Sequence, residues 1–66
     1  MVEMDQWGLP VKALVGQKEI VGSRLGVTKE ALLWAVRQGR LRRVRVGKRK
    51  GKYVRLDVFR VFRPNG

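Results

Sequence analysis

From Val21 to Val36 the chain reads Val-Gly-x-x-Leu-Gly-Val-Thr-x-x-Ala-Leu-x-x-Ala-Val, and few backbone arrangements satisfy that order. Two helices that cross steeply need a small residue where their backbones approach, and Gly22 offers one. The turn between them needs a residue at ease at positive φ, which Gly26 provides. Val27 is the aliphatic that such a turn buries. Thr28 then caps the following helix by accepting a backbone N–H of its first turn. On a 3.6-residue period Ala31, Leu32, Ala35 and Val36 share one face. Glu30, Leu33, Trp34 and Arg37 share the opposite face, with Lys29 at its edge. The reading is a helix from Thr28 to Gln38 that ends at Gly39, preceded by one over Gln17–Leu25 whose inner face carries Val21 and Leu25.

On either side the pattern changes. Pro10 suits the first position of a helix and Gly16 the residue just past its end, so a short helix is expected over Pro10–Val15. Residues 1–9 read as an extended arm, with edge-strand character near Met1–Trp7. After Gly39 the period drops to two. Val44 and Val46 alternate with Arg43 and Arg45 in a strand over Leu41–Val46, and residues 47–51 form a charged turn. Tyr53–Val58 alternates again, with Val54, Leu56 and Val58 on one side, until the doublet Val58-Phe59 breaks the pattern. Residues 63–66 are a tail. The fold class is therefore α+β: three short helices containing a helix-turn-helix, then a β-hairpin, with a three-stranded sheet if the N-terminal arm pairs.

Sixty-six residues make one domain, and a domain this small buries only about 60% of its unfolded surface. Such chains usually draw on a disulfide, a metal or a partner subunit. Cysteine and histidine are both absent, which removes disulfides, thiolate or imidazole metal sites and histidine acid–base chemistry. No paired carboxylates stand in for them. The expectation is no enzyme, no cofactor, no metal and no small-molecule substrate, with self-association supplying extra stability. No apolar run is long enough to span a bilayer and no signal pattern opens the chain, so a cytoplasmic location is expected.

Charge then selects a partner. Sixteen Lys and Arg against five Asp and Glu give +11, and the excess is concentrated: twelve basic residues lie between Arg37 and Arg63, opposed by Asp57 alone. A solvated surface or a membrane surface would also tolerate this charge, but the basic half alternates like a strand and carries no helical apolar stripe. A field so local suits a polyanion, because each phosphate neutralised releases counterions. The second helix of the glycine-containing pair is free to enter a major groove of double-stranded DNA, whereas an ordinary helical corner would need no such charge. Arg37 and Arg40 can donate to guanine or hold phosphates. Lys48, Arg49, Lys50 and Lys52 would grip the backbone from the hairpin, or else form a solvated turn. Glu30 can accept from a cytosine amine or pair with Lys29 or Arg37. Trp34 points outward and could meet a base, or pack under a partner or under Trp7 of the arm. Val58, Phe59 and Phe62 read as core or dimer interface.

The residues Leu25-Gly-Val-Thr-Lys-Glu-Ala-Leu-Leu-Trp-Ala-Val-Arg-Gln-Gly-Arg40 resemble the core of the small phage Cro repressors. Gly16-Gln17 upstream, and Tyr53-Val54 and Phe62-x-Pro-Asn65 downstream, extend the likeness over roughly residues 16–65. One more residue precedes Leu25 here than in that family. The resemblance implies three helices and three strands, a homodimer formed through the last strand, and repression at a palindromic operator in a bacterial host cell. It places Lys29, Glu30 and Arg40 at the DNA, where Gln17 and Thr28 at the starts of the two helices are also expected, while Leu33 and Trp34 stand where the family uses polar side chains.

The chain also resembles winged-helix excisionases and MerR-like domains. Leu-Gly-Val-Thr, Gly39-Arg40-Leu41, a basic wing and Asp57-aliphatic-x-x-x-Phe62 carry that likeness. The acidic residue such domains place before the aliphatic-small pair is Ile20 here, with Glu19 one position early. This second resemblance implies a recombination factor whose Asp57–Phe62 folds back as a helix capped by Asp57, monomeric until DNA lines copies up. The Cro-like reading is the first expectation. An RNA-binding role would need aromatics along the basic face, and Tyr53 alone does not supply them.

Overall fold

The computed structural model describes residues 3–48 and 51–63 and gives, in order, β1 (Leu14–Val15), α1 (Gln17–Val21), α2 (Lys29–Arg37), β2 (Arg43–Val44), β3 (Lys52–Val54) and α3 (Arg55–Val61). The three strands form one antiparallel sheet in the order β1-β3-β2. The fold is α+β, with three helices and a three-stranded sheet, as the sequence indicates.

α2 follows its sequence signals most closely. The Thr28 hydroxyl accepts the Ala31 N–H at 3.1 Å, and Lys, Glu, Ala and Leu fill the helix interior with good helix formers. Gly39 takes φ +71°. Its N–H donates to the Val36 carbonyl and that of Arg40 to the Ala35 carbonyl, the paired bonds of a Schellman ending. Leu32 and Ala35 are fully buried, Ala31 and Val36 half-buried, so the expected inner face is the observed one.

The region before it differs. Pro10–Val15 is extended, not helical. A helix of six residues closes at most two internal hydrogen bonds against a costly nucleus, whereas the extended chain lays Leu14 and Val15 against β3 and buries Val15 completely. The third strand is thus Leu14–Val15, and residues 3–9, the described part of the arm, do not supply it; Met1 and Val2 lie outside the described residues. Residues 3–10 instead form a small loop, in which Met4 bridges Pro10. The Asp5 carboxylate accepts the N–H groups of Trp7 and Leu9, both at 2.9 Å, and Gly8 at φ +74° lets the chain turn.

α1 is shorter than the pattern suggests. It opens with the Gly16 N–H donating to Glu19 Oε1 at 2.8 Å and closes at Gly22. Ile20 is its buried residue, while Val21 faces outward and Leu25 lies in the following turn, half-buried. The atom nearest to a side chain placed at Gly22 is the Lys18 carbonyl of the preceding helix, at 3.0 Å. Gly22 therefore ends α1, and a close approach to α2 is not what demands it. Gly26 does adopt positive φ (+75°), and Val27 is buried.

The largest departure is at the end. The strand expected over Tyr53–Val58 stops at Val54, and Arg55–Val61 is a helix. Val58, expected in a dimer segment, is fully buried inside its own chain, and Phe59 and Phe62 pack half-buried against the same core. Helical geometry separates Leu56 from Val58: Leu56 is 72% exposed. Asp57 sits in the first turn of α3, and Val54, with no side-chain bond, holds the cap position. The core so closed comprises Leu9, Val15, Ile20, Val27, Leu32, Ala35, Leu41, Tyr53 and Val58.

Two clasps hold the N-terminal loop on this core. The Trp7 carbonyl accepts the Arg24 N–H at 2.7 Å, tying the loop to the α1–α2 turn. Asp5 Oδ2 accepts from the Arg55 guanidinium at the start of α3. Arg55 also lies over the Phe59 ring, 4.7 Å from its centroid, and Phe59 meets Trp7 at 5.1 Å. Burial raises the Asp5 pKa, but the Leu9 and Trp7 amides and the Arg55 guanidinium together outweigh it, holding the carboxyl below its ordinary value.

Candidate nucleic-acid interface

The polar side of α2 carries one group of candidates. Lys29 and Glu30 in its first turn are exposed, as are Trp34 and Arg37, and Leu33 is half-buried between them. Thr28, exposed at the N-terminus, spends its hydroxyl oxygen on the cap. Beyond the helix Arg40 is exposed, and its guanidinium lies over the Trp34 ring at 5.3 Å from the centroid. Trp34 is 52% exposed, and Trp7 does not cover it: Trp7 packs against Phe59 instead, with the two rings tilted by 55°. Among the described residues the ion pairs are Lys12–Glu19 at 3.2 Å and Arg55–Asp5, so Glu30 pairs with neither Lys29 nor Arg37.

A second group lies where the start of α1 faces the hairpin. Gln17, Lys18, Glu19, Arg43, Arg45, Lys52 and Tyr53 line an open groove of about 610 Å³ there. Strand register explains the placement. Val15, Tyr53 and Arg43 stand opposite one another across β1, β3 and β2, hence on one face of the sheet. The first two are buried; Arg43 is at the exposed end of the row. Its stem crosses Gly51, where an added Cβ would collide with Arg43 Cγ and Cδ, and its guanidinium lies over the Tyr53 ring, 5.9 Å from the centroid. The charge is thus held over Tyr53 while the residue as a whole remains exposed.

Glu19 is the acidic member of this groove. Burial raises its pKa, and the Gly16 amide, the Lys12 ammonium and the more distant Lys52 charge together bring it below the ordinary value. Glu19 is thereby occupied within the fold, leaving the basic side chains of the groove to face outward.

Of the residues nominated from sequence, Gln17 and Lys52 meet in this groove, and Lys29, Glu30, Leu33, Trp34, Arg37 and Arg40 meet along α2. Lys48 is exposed after β2, and Arg49 and Lys50 lie outside the described residues. Lys18, Arg43 and Arg45 were not nominated. For Arg43 and Arg45 the signal existed: both alternate with Val44 in a period-two run, which puts them on one face. Among the described residues no three acidic side chains gather as a metal site would require, and no helix is long and apolar enough to cross a membrane. The arrangement is a helix face and a hairpin groove, both basic and open, suited to gripping an extended polyanion. Compared with protein families, with curated proteins and with solved structures, the chain matches none.

Proposed function

We propose that this protein binds double-stranded DNA with sequence preference, as a winged helix-turn-helix in which α2 reads bases and the β2–β3 hairpin grips phosphates. The observation that carries the reading is the conjunction of a capped helix whose outer face presents exposed basic side chains, free of ion pairs among the described residues, with a hairpin whose arginines line an open groove. Lys29, Arg37 and Arg40 on one side, and Lys18, Arg43, Arg45 and Lys52 on the other, supply the phosphate and base donors such binding uses.

Between the two resemblances, α3 favours the second. A Cro-like dimer pairs a final strand across a two-fold axis, and Arg55–Val61 is a helix folded on its own core. The support therefore moves to the excisionase-like or MerR-like domain, a monomer that lines up along DNA, acting in recombination or transcription in a bacterial cell.

Selection from a pool of random duplexes, followed by titration of the enriched site, tests this. A defined sequence should emerge. With four to six phosphate contacts per protein, the slope of log K against log salt should be about −4 to −5. Sedimentation equilibrium without DNA should give a monomer. Absence of any enriched sequence, together with a flat salt dependence, would overturn the reading; a dimer without DNA would return it to the repressor.

A further inference from the structure

Resting on the DNA-binding reading, we propose that Trp34 and Arg40 form one specificity element that recognises a guanine next to a methyl-bearing pyrimidine in the major groove. The pair is assembled before any ligand arrives. Arg40 is the second residue past the cap of α2, and its backbone is fixed by the Arg40 N–H to Ala35 carbonyl bond at 3.0 Å. The residue at this point of a Schellman ending commonly packs back on the last full turn of the helix. Here the packing partner is Trp34, and the guanidinium rests 5.3 Å from its ring centroid.

That placement leaves Arg40 charged and unneutralised. Neither ion pair among the described residues involves it, and its contact with the π face of Trp34 uses no hydrogen-bond acceptor, so its guanidinium N–H groups remain for a ligand. The fork matches O6 and N7 of guanine. Trp34 remains 52% exposed, an apolar surface in the middle of an otherwise polar helix face. A phosphate would satisfy Arg40 but leaves that surface without a counterpart. In the major groove the 5-methyl of thymine is the apolar group available to meet it, so the cation and the ring together select a thymine beside a guanine.

The test uses the duplex selected by the wild-type chain. Each thymine is replaced in turn by deoxyuridine, which removes only the methyl, and each guanine by 7-deazaguanine, which removes only N7. One thymine should show about a fourfold loss of affinity, the worth of one methyl kept from water. The guanine beside it should show about a fivefold loss or more. In Trp34→Ala the deoxyuridine penalty at that position should vanish while other positions keep theirs, and Trp34→Phe should restore part of it. Arg40→Ala should erase the 7-deazaguanine penalty. Trp34 is outside the core, so melting curves of the variants should match wild type. The proposal is overturned if no thymine is methyl-sensitive, or if the sensitivity survives Trp34→Ala. An enriched site without methyl dependence sinks this element alone; no enriched site, with a flat salt dependence, sinks the DNA-binding reading beneath it as well.

Discussion

α2 and α3 are both short helices, yet they are specified in different ways. α2 carries its own instructions: a threonine cap, strong helix formers and a glycine just past the end. α3 has no side-chain cap and a sequence, Arg-Leu-Asp-Val-Phe-Arg-Val, rich in residues that also suit strands. Contacts made elsewhere hold it helical. Val58 enters the core, Phe59 meets Trp7, and Arg55 answers Asp5 fifty residues away. One helix is encoded locally and the other by tertiary packing, which overrides a weak propensity.

The largest expected effect comes from the core that both helices share. Leu32→Ala removes a fully buried side chain from α2 and should cost about 2–5 kcal/mol in denaturant melts. Leu33→Ala, one residue on and only half-buried, should cost clearly less. A reversed ranking would mean that the phase of α2 is wrong, and the groove-facing assignments would fall with it.

Asp5→Ala addresses α3 from a distance. It leaves the mostly buried Arg55 guanidinium without its carboxylate and two loop amides without an acceptor, at a cost of about 1.5–3 kcal/mol. Amides of α3 should then exchange faster while those of α2 keep their protection, and Arg55→Ala should be less than additive with it. Acid gives an independent check. The folded Asp5 pKa is lowered, so its contribution is complete above the unfolded value, about 3.9, and is lost as pH falls through the folded value. Stability should decline with acid below about pH 4, and Asp5→Asn should remove that part of the decline. An unchanged pH profile would show that the clasp does not tie the loop to α3.

This contrast also explains what could be read from the sequence. The capped helix, its buried face, the turns at Gly26 and Gly39 and the centre of the hairpin were legible because each depends on neighbours within a few residues. The strand expected over Leu41–Val46, however, is only Arg43–Val44 and leaves Val46 exposed. Pro10–Val15 misled because proline and glycine punctuate loops as readily as helix ends, and only β3, some forty residues later, decides that Leu14–Val15 is a strand. At the site, the α2 face was legible by periodicity. The Gln17–Arg43–Lys52 groove was not, since it exists only once β3 brings the hairpin beside α1. Arg55, one of the twelve basic residues, turns inward to Asp5, and no local pattern marks it as different from Arg43.

Thr28→Ala tests the local side. Losing the hydroxyl that accepts the Ala31 N–H should cost about 1 kcal/mol. Exchange should rise first in the opening turn of α2. A neutral outcome in melts and exchange would mean that Val27 burial and the Gly39 ending define this helix without its cap.

The smallest effect discriminates most sharply between the two ways of folding residues 55–61. In a strand, Leu56 and Val58 stand two apart and share a face, so both would be buried with Val54. In a helix the same separation turns them about 200° apart, which puts Val58 in the core and leaves Leu56 72% exposed. Leu56→Ala should therefore change stability by no more than about 0.5 kcal/mol, because it removes little buried surface and alanine is at least as good a helix former. A buried strand position would instead give the 2–5 kcal/mol typical of a core leucine. Equilibrium melts resolve that difference easily. A large loss at Leu56 would restore the final strand, and with it the two-fold pairing that a Cro-like dimer needs.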